Sequence, residues 1–146
     1  MDNDESKIDT YGLLYNLMAV DHYRKLAPRG WHIPEDKEWK ELEMYLGMSK
    51  TEVDARGVRG TDEGSKLKST SYWPNESGTN ESGFSVLPSG YRDYNGIYSN
   101  LDNTAFWAGK SFWIEGRSRI LNDDESTITR FKSPWKYGFS VRCIKN

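Results

Sequence analysis

The sequence predicts an α+β domain, with helices in its first half and short, mainly antiparallel strands in its second. Three observations carry this expectation. One stretch, residues 30–47, has the pattern of an amphipathic helix; apolar residues take up a period of two after Gly83; and the chain of 146 residues shows neither an internal repeat nor a linker. At that length the prior is a single domain, which buries about 70% of its surface around one core. The opening MDNDESKIDT is polar and is expected to fray, leaving residues 11–146 as the domain.

Taken in order, the apolar, β-rich run at residues 11–20 reads as a strand, and residues 21–30 as a loop closing on Pro28 and Gly30. The helix follows. Pro34 holds Ile33 extended and fixes its own φ for a helical start. Glu35, Asp36 and Glu38 place negative charge in the first turn, where the helix dipole favours it. Trp39, Leu42 and Leu46, with Tyr45 beside them, form the apolar stripe, and Gly47 is the expected stop. Asp36 and Lys40 are expected to pair at i, i+4 on the outer face. The spacing alone makes this a packing helix without chemistry.

Residues 48–69 read as short helical pieces, one capped by Ser49 with Glu52 at capping-box spacing, and one capped by Thr61 or Asp62 and running to Leu67. Residues 69–82 form a loop with two N-glycosylation patterns, Asn75-Glu76-Ser77 and Asn80-Glu81-Ser82. Beyond Gly83 the strands begin. Asn95-Gly96 signals a hairpin. Residues 105–108, 111–114, 117–121, 127–131 and 137–144 are expected as strands, with Phe139, Val141 and Cys143 on one face of the last.

Composition removes several classes of function. The 20 basic and 22 acidic residues are well mixed, so the basic stripe of a nucleic-acid binder is missing. No apolar run approaches a membrane span. The single cysteine, Cys143, sits in an apolar alternation and reads as an inert buried thiol; no intrachain disulfide is possible. No signal-peptide pattern opens the chain, as holds for a cytoplasmic protein and for an exported one trimmed of its leader. The two histidines, His22 and His32, lack metal-site companions, and GxSxG and GxxxxGK[ST] are absent. No cofactor is expected. A calcium site from Asn75, Glu76, Asn80 and Glu81 is chemically feasible, because hard cations take carboxylate and amide oxygens, but no motif supports it.

The remaining feature is aromatic richness, 14% of the chain with 6 Trp and 9 Tyr. Tyr91, Tyr94, Tyr98, Phe106, Trp107, Phe112, Trp113 and Trp135 crowd the second half. Neighbours on a strand face opposite ways, so Phe106-Trp107 and Phe112-Trp113 cannot both point into one core. An exposed aromatic face is therefore expected, the kind that marks a ligand or partner site. Tyr94, Tyr98, Trp107, Trp113 and Trp135 are its candidate contacts.

Four blocks carry a resemblance. GWHIPEDKEWKELEMYLG, RGTDEGSKLKSTSYW, TNESGFSVLPSGYRDYNGIY and the terminal YGFSVRCIKN resemble, in order and over nearly the whole chain, the Fibrobacter succinogenes major paralogous domain. The first and last also resemble blocks of formylglycine-generating-enzyme-like domains. The resemblance implies a C-type-lectin-like fold and export to the cell surface, as in secreted proteins and lipoproteins of Bacteroidetes. Three departures stand out. Ala27 replaces the cysteine that usually precedes Pro-x-Gly-Trp-His, so the disulfide that the resemblance implies with Cys143 is absent. Phe106-Trp107-Ala108-Gly109-Lys110 replaces the usual FWSST block. The oxidising cysteines of the formylglycine enzymes and the calcium motifs of lectins have no counterpart.

The expected function is a non-catalytic cell-surface or secreted module that recognises a glycan or surface protein through its aromatic face. The alternatives are a glycan hydrolase using acids of residues 76–93, and a structural surface protein whose aromatics are core. The ligand and the oligomeric state are not legible.

Overall fold

A helix of modest length, capped at both ends, sets the first layer of the fold. The structure, a computed structural model, describes residues 5–22, 26–75, 77–109 and 116–146. After a 3-10 turn at Glu5–Lys7 come α1 (Ile8–Tyr11), β1 (Tyr15–Asn16), α2 (Leu17–Val20), β2 (Trp31–His32) and α3 (Asp36–Leu46). Then follow α4 (Lys50–Asp54), β3 (Gly57–Arg59) and α5 (Glu63–Leu67). The later strands are β4 (Ser89–Arg92), β5 (Tyr98–Leu101), β6 (Thr104–Ala108), β7 (Gly116–Asn122), β8 (Ile128–Ser133), β9 (Gly138–Phe139) and β10 (Ile144–Lys145). Helices precede the longer strands, as expected of an α+β chain. No described helix is long and apolar enough to cross a membrane.

Helix α3 begins at Asp36 with Glu35 as its cap: the Glu38 carboxylate accepts from the Glu35 N–H at 2.8 Å in a capping box. Gly47 ends it at φ 129°. Ser49 and Glu52 form the same box on α4, as their spacing predicts. Among the described residues the main sheet is eight-stranded in the order β1-β9-β4-β6-β7-β8-β3, with β5 paired to β4 off this path. It is curled and antiparallel except at β4–β6, where Gly90 lies opposite Ala105 in parallel register. β2 and β10 form a separate antiparallel ribbon, Trp31 opposite Lys145 and His32 opposite Ile144.

Two apolar clusters result. The larger joins helix residues Trp39, Leu46, Val53 and Leu67 to Ala105, Trp107, Leu121 and Ile128 of the sheet. The second holds Leu17, Val20, Ile33, Ala108 and Phe139, with Ala27, Tyr91, Tyr137, Val141 and Cys143 packed against it. Cys143 is a free thiol, and burial pushes its pKa up.

Inside the α3–sheet interface lies an ion network that the apolar stripe does not announce. Glu43 is fully buried and takes two guanidinium bonds from Arg59, both 2.7 Å, and one from Arg119 Nε at 2.6 Å. Asp36 takes Arg119 Nη1 at 2.9 Å and Arg130 Nη2 at 2.7 Å. Burial works against ionisation of Asp36, yet the hydrogen bonds from Arg130 and the charge and bonds of Arg119 hold its pKa down to about 2. Asp36 therefore does more than pair with Lys40 on an outer face, although that contact exists at 3.6 Å.

Several expectations are corrected here. Residues 11–20 are not one strand: Asn16 ends a two-residue strand and caps α2, accepting from the Ala19 N–H at 2.9 Å. Tyr45 is 85% exposed and lies outside the stripe. The stretch 137–144 is broken into β9 and β10, although Phe139, Val141 and Cys143 do pack against the same cluster. The expected strand at 111–114 lies outside the described residues.

Candidate functional site

The β4–β5 hairpin is built by its turn. Asp93 Oδ1 accepts from the N–H groups of Asn95 and Ile97 at 2.8 and 2.9 Å, an Asx-type closure, and Gly96 supplies φ +89°. The register sets Tyr91 opposite Ser99 and Arg92 opposite Tyr98. Successive residues face opposite sides of a strand, so Tyr91 and Tyr98 lie on different faces of the hairpin.

On the Tyr91 side the rings assemble. Tyr137 stacks on Tyr91 at 5.7 Å and 5° between planes, and Tyr94 leans on Tyr137 at 6.1 Å. Tyr137 also meets Phe139 at 6.2 Å, which ties the stack to the second core cluster. Tyr94 is 65% exposed, Ile97 59% and Trp135 46%. Burial and the Asp93 carboxylate push the Tyr137 hydroxyl pKa up, so the ring presents a neutral phenol. Lys136 lies 5.3 Å from the Trp135 ring. The result is an aromatic ledge, Tyr94 on the Tyr91–Tyr137 stack, supported beneath by Phe139, with Trp135 exposed in the turn that precedes Tyr137.

The five candidate contacts separate. Tyr94 and Trp135 are exposed as expected. Tyr98 lies on the other face, under the Arg92 guanidinium at 5.7 Å. Trp107 is a correction: it is 8% exposed, packs edge-on against Phe84 at 5.8 Å, and belongs to the larger core cluster. Trp113 lies outside the described residues. Tyr137, which the sequence does not single out, joins the exposed Tyr94 instead. Its ring reaches Tyr91 and Phe139 from the turn that precedes β9, where strand alternation gives no signal.

The calcium candidates serve other partners. The Asn75 amide donates to the Asp123 carboxylate, Asn80 accepts from the Ser85 N–H at 2.8 Å, and Glu81 is exposed; Glu76 lies outside the described residues. Beside them the Lys68 ammonium, fully buried, donates to the carbonyls of Asn122 at 2.6 Å and Glu125 at 2.7 Å and to Ser77 Oγ at 2.8 Å. Burial lowers its pKa to about 8, which leaves it charged at neutral pH. A positive charge thus already occupies this carbonyl cage. No group of three or more His, Cys, Asp or Glu fit to hold a metal occurs among the described residues. Asp93, one of the acids considered for hydrolysis, is engaged in the turn.

The family model described as the Fibrobacter succinogenes major domain matches residues 1–145. The chain belongs to this family. The Fibrobacter succinogenes major domain match takes in the 3-10 turn and α1 as well as the later elements. No curated protein and no solved structure matches the chain.

Proposed function

We propose that this Fibrobacter succinogenes major domain is a non-catalytic binding module, exported or displayed at the cell surface, that meets a glycan or a protein through the ledge of Tyr94 and Tyr137 and through the exposed Trp135. The carrying observation is that Tyr94 is 65% exposed while its ring rests on the Tyr91–Tyr137 stack. Amphipathic rings held in place offer contact area with little entropy left to lose. Exposed Ile97 beside the turn favours a protein partner over a sugar, because an aliphatic side chain offers no polar handle. The C-type-lectin-like reading of the fold belongs to this proposal, supported by the helices-then-strands order and the curled sheet.

The test is a pull-down from native cell surfaces together with a glycan array, run with and without calcium. Tyr94→Ala and Trp135→Ala are expected to weaken a captured interaction by about tenfold or more and to leave the melting temperature within about 2 °C, since both side chains are exposed. Unchanged binding in both variants would sink the ledge as the contact surface.

A further inference from the structure

His32 stands between two oxygens. Its Nε2 lies 2.8 Å from Glu38 Oε1 and its Nδ1 2.7 Å from Asn146 Oδ1. An oxygen acceptor at each nitrogen calls for a proton on each, and only the imidazolium has both. The ring is therefore a cation in this arrangement. The hydrogen bond to Glu38, then that to Asn146, and the charges of Glu38 and Glu35 hold its pKa above the usual 6.5. His32 and Asn146 also line a cavity of about 370 Å³ beside the β2–β10 ribbon. The charged and titratable groups around the ring are Glu35, Lys37 and Glu38 at the start of α3, Asp21 and His22 in the same cavity lining, and Lys145 of β10.

The two ring nitrogens do not give up a proton equally. Nε2 faces a carboxylate, an acceptor only, which the Glu35 N–H holds in place at 2.8 Å. Nδ1 faces a neutral amide, so its proton is the one that leaves, to water. The bare Nδ1 is then an acceptor with the Asn146 oxygen against it. Two lone pairs at that separation repel, and one side must change. The ribbon resists moving: the Asn146 N–H donates to the Gly30 carbonyl at 3.0 Å, and Ile144 and Lys145 are paired with His32 and Trp31. The amide needs only a half-turn about its last side-chain bond. That turn brings its NH₂ to Nδ1 and restores the hydrogen bond.

The half-turn changes what the cavity meets. With Oδ1 on His32, the Asn146 NH₂ has donors to offer; after the turn, the carbonyl oxygen takes their place. We propose that His32 and Asn146 form a proton-driven switch at the cavity rim, in which loss of the His32 proton turns the Asn146 amide over and converts the rim there from hydrogen-bond donor to acceptor. The cavity loses a positive charge in the same step. Histidine is the side chain suited to such a change near neutral pH. The switch is built from β2, α3 and the residue after β10, and it stands whether or not the tyrosine ledge binds a partner.

The test is an NMR titration of the full, isotope-labelled chain from about pH 5 to about pH 8, following the ring nitrogens of His32 and His22 separately and the side-chain NH₂ of Asn146. His32 is expected to titrate with a midpoint above 6.5 and to keep its proton on Nε2 when neutral. The Asn146 NH₂ signals are expected to move with that same midpoint, while the backbone amides of Lys145 and Asn146 persist. Glu38→Gln lowers the His32 and Asn146 midpoints together. His32→Gln leaves the Asn146 NH₂ without a pH response, and carries the comparison alone if Glu38→Gln does not fold. Asn146 signals that ignore pH, or that follow His22, overturn the proposal. So does a neutral ring with its proton on Nδ1, because the amide then has no reason to turn. Loss of the Asn146 backbone amide at the His32 midpoint also overturns it, by showing that the strand lets go instead.

Discussion

Asp36 shows how a residue legible as a helix-start acid takes on a second role through partners far along the chain. Its neighbours Arg119 and Arg130 lie 83 and 94 residues away in sequence. No local pattern announces them. The same holds for Glu43, which sits four residues after Trp39 and breaks an otherwise apolar stripe; its ligands Arg59 and Arg119 come from β3 and β7. The consequence for stability has a definite sign. The carboxyl of Asp36 titrates near 3.8 when unfolded and about 2 when folded. Its contribution is therefore fully present above pH 3.8 and is lost as pH falls toward 2. The shift corresponds to about 2 kcal/mol. In urea unfolding at pH 5 and at pH 2, the wild type is expected to lose about 2 kcal/mol more than Asp36→Asn does. Equal losses would show that the arginines do not hold the ionised form. Trp107 illustrates the opposite failure. Alternation sets Phe106 and Trp107 on opposite faces of their strand, but it cannot say which face is covered. The helices packed over β6 put Trp107 inside.

Elements were read most securely where the signal is local. The capping box at Ser49, the stop at Gly47 and the Asn95-Gly96 hairpin depend on side chains within a few residues, and each appears where its chemistry places it. The run 11–20 misled because β-rich composition outweighed Asn16, whose side chain caps α2 and forces a helical turn. The hairpin beneath the ledge makes its own prediction. Gly90 has φ +64°, and a Cβ there would come within 2.3 Å of the Ser99 carbonyl oxygen, a backbone atom. Gly96 has φ +89°, but its Cβ would meet the mobile head of Arg92. Gly90→Ala is expected to cost at least about 2 kcal/mol, from strain and clash together. Gly96→Ala should cost about 1 kcal/mol, from the left-handed backbone alone. Chemical denaturation of the two variants checks the order, and a reversed order would place the rigid contact elsewhere in the hairpin.

At the scale of the whole molecule, the two apolar clusters are joined through β6. Trp107 belongs to the cluster under the helices, and its neighbour Ala108 to the one that supports the tyrosine stack. β6 also pairs with β4 in parallel and with β7 along five residue pairs, Thr104 opposite Asn122 through Ala108 opposite Ser118. The ledge is thus seated on the same strand that closes the helical core, so it cannot melt away from that core as a separate unit. Small domains built this way unfold in one step. In a urea titration followed by NMR, amide signals from β8 and from β9 are expected to disappear at the same midpoint. Trp107→Ala, which removes a ring from the larger cluster, is expected to lower both midpoints together by about 3–5 kcal/mol of stability. If the β9 signals persist after those of β8 are lost, the ledge has a core of its own. Its ring geometry would then be independent of Trp107, and a binding defect in Trp107→Ala could not be assigned to loss of the fold.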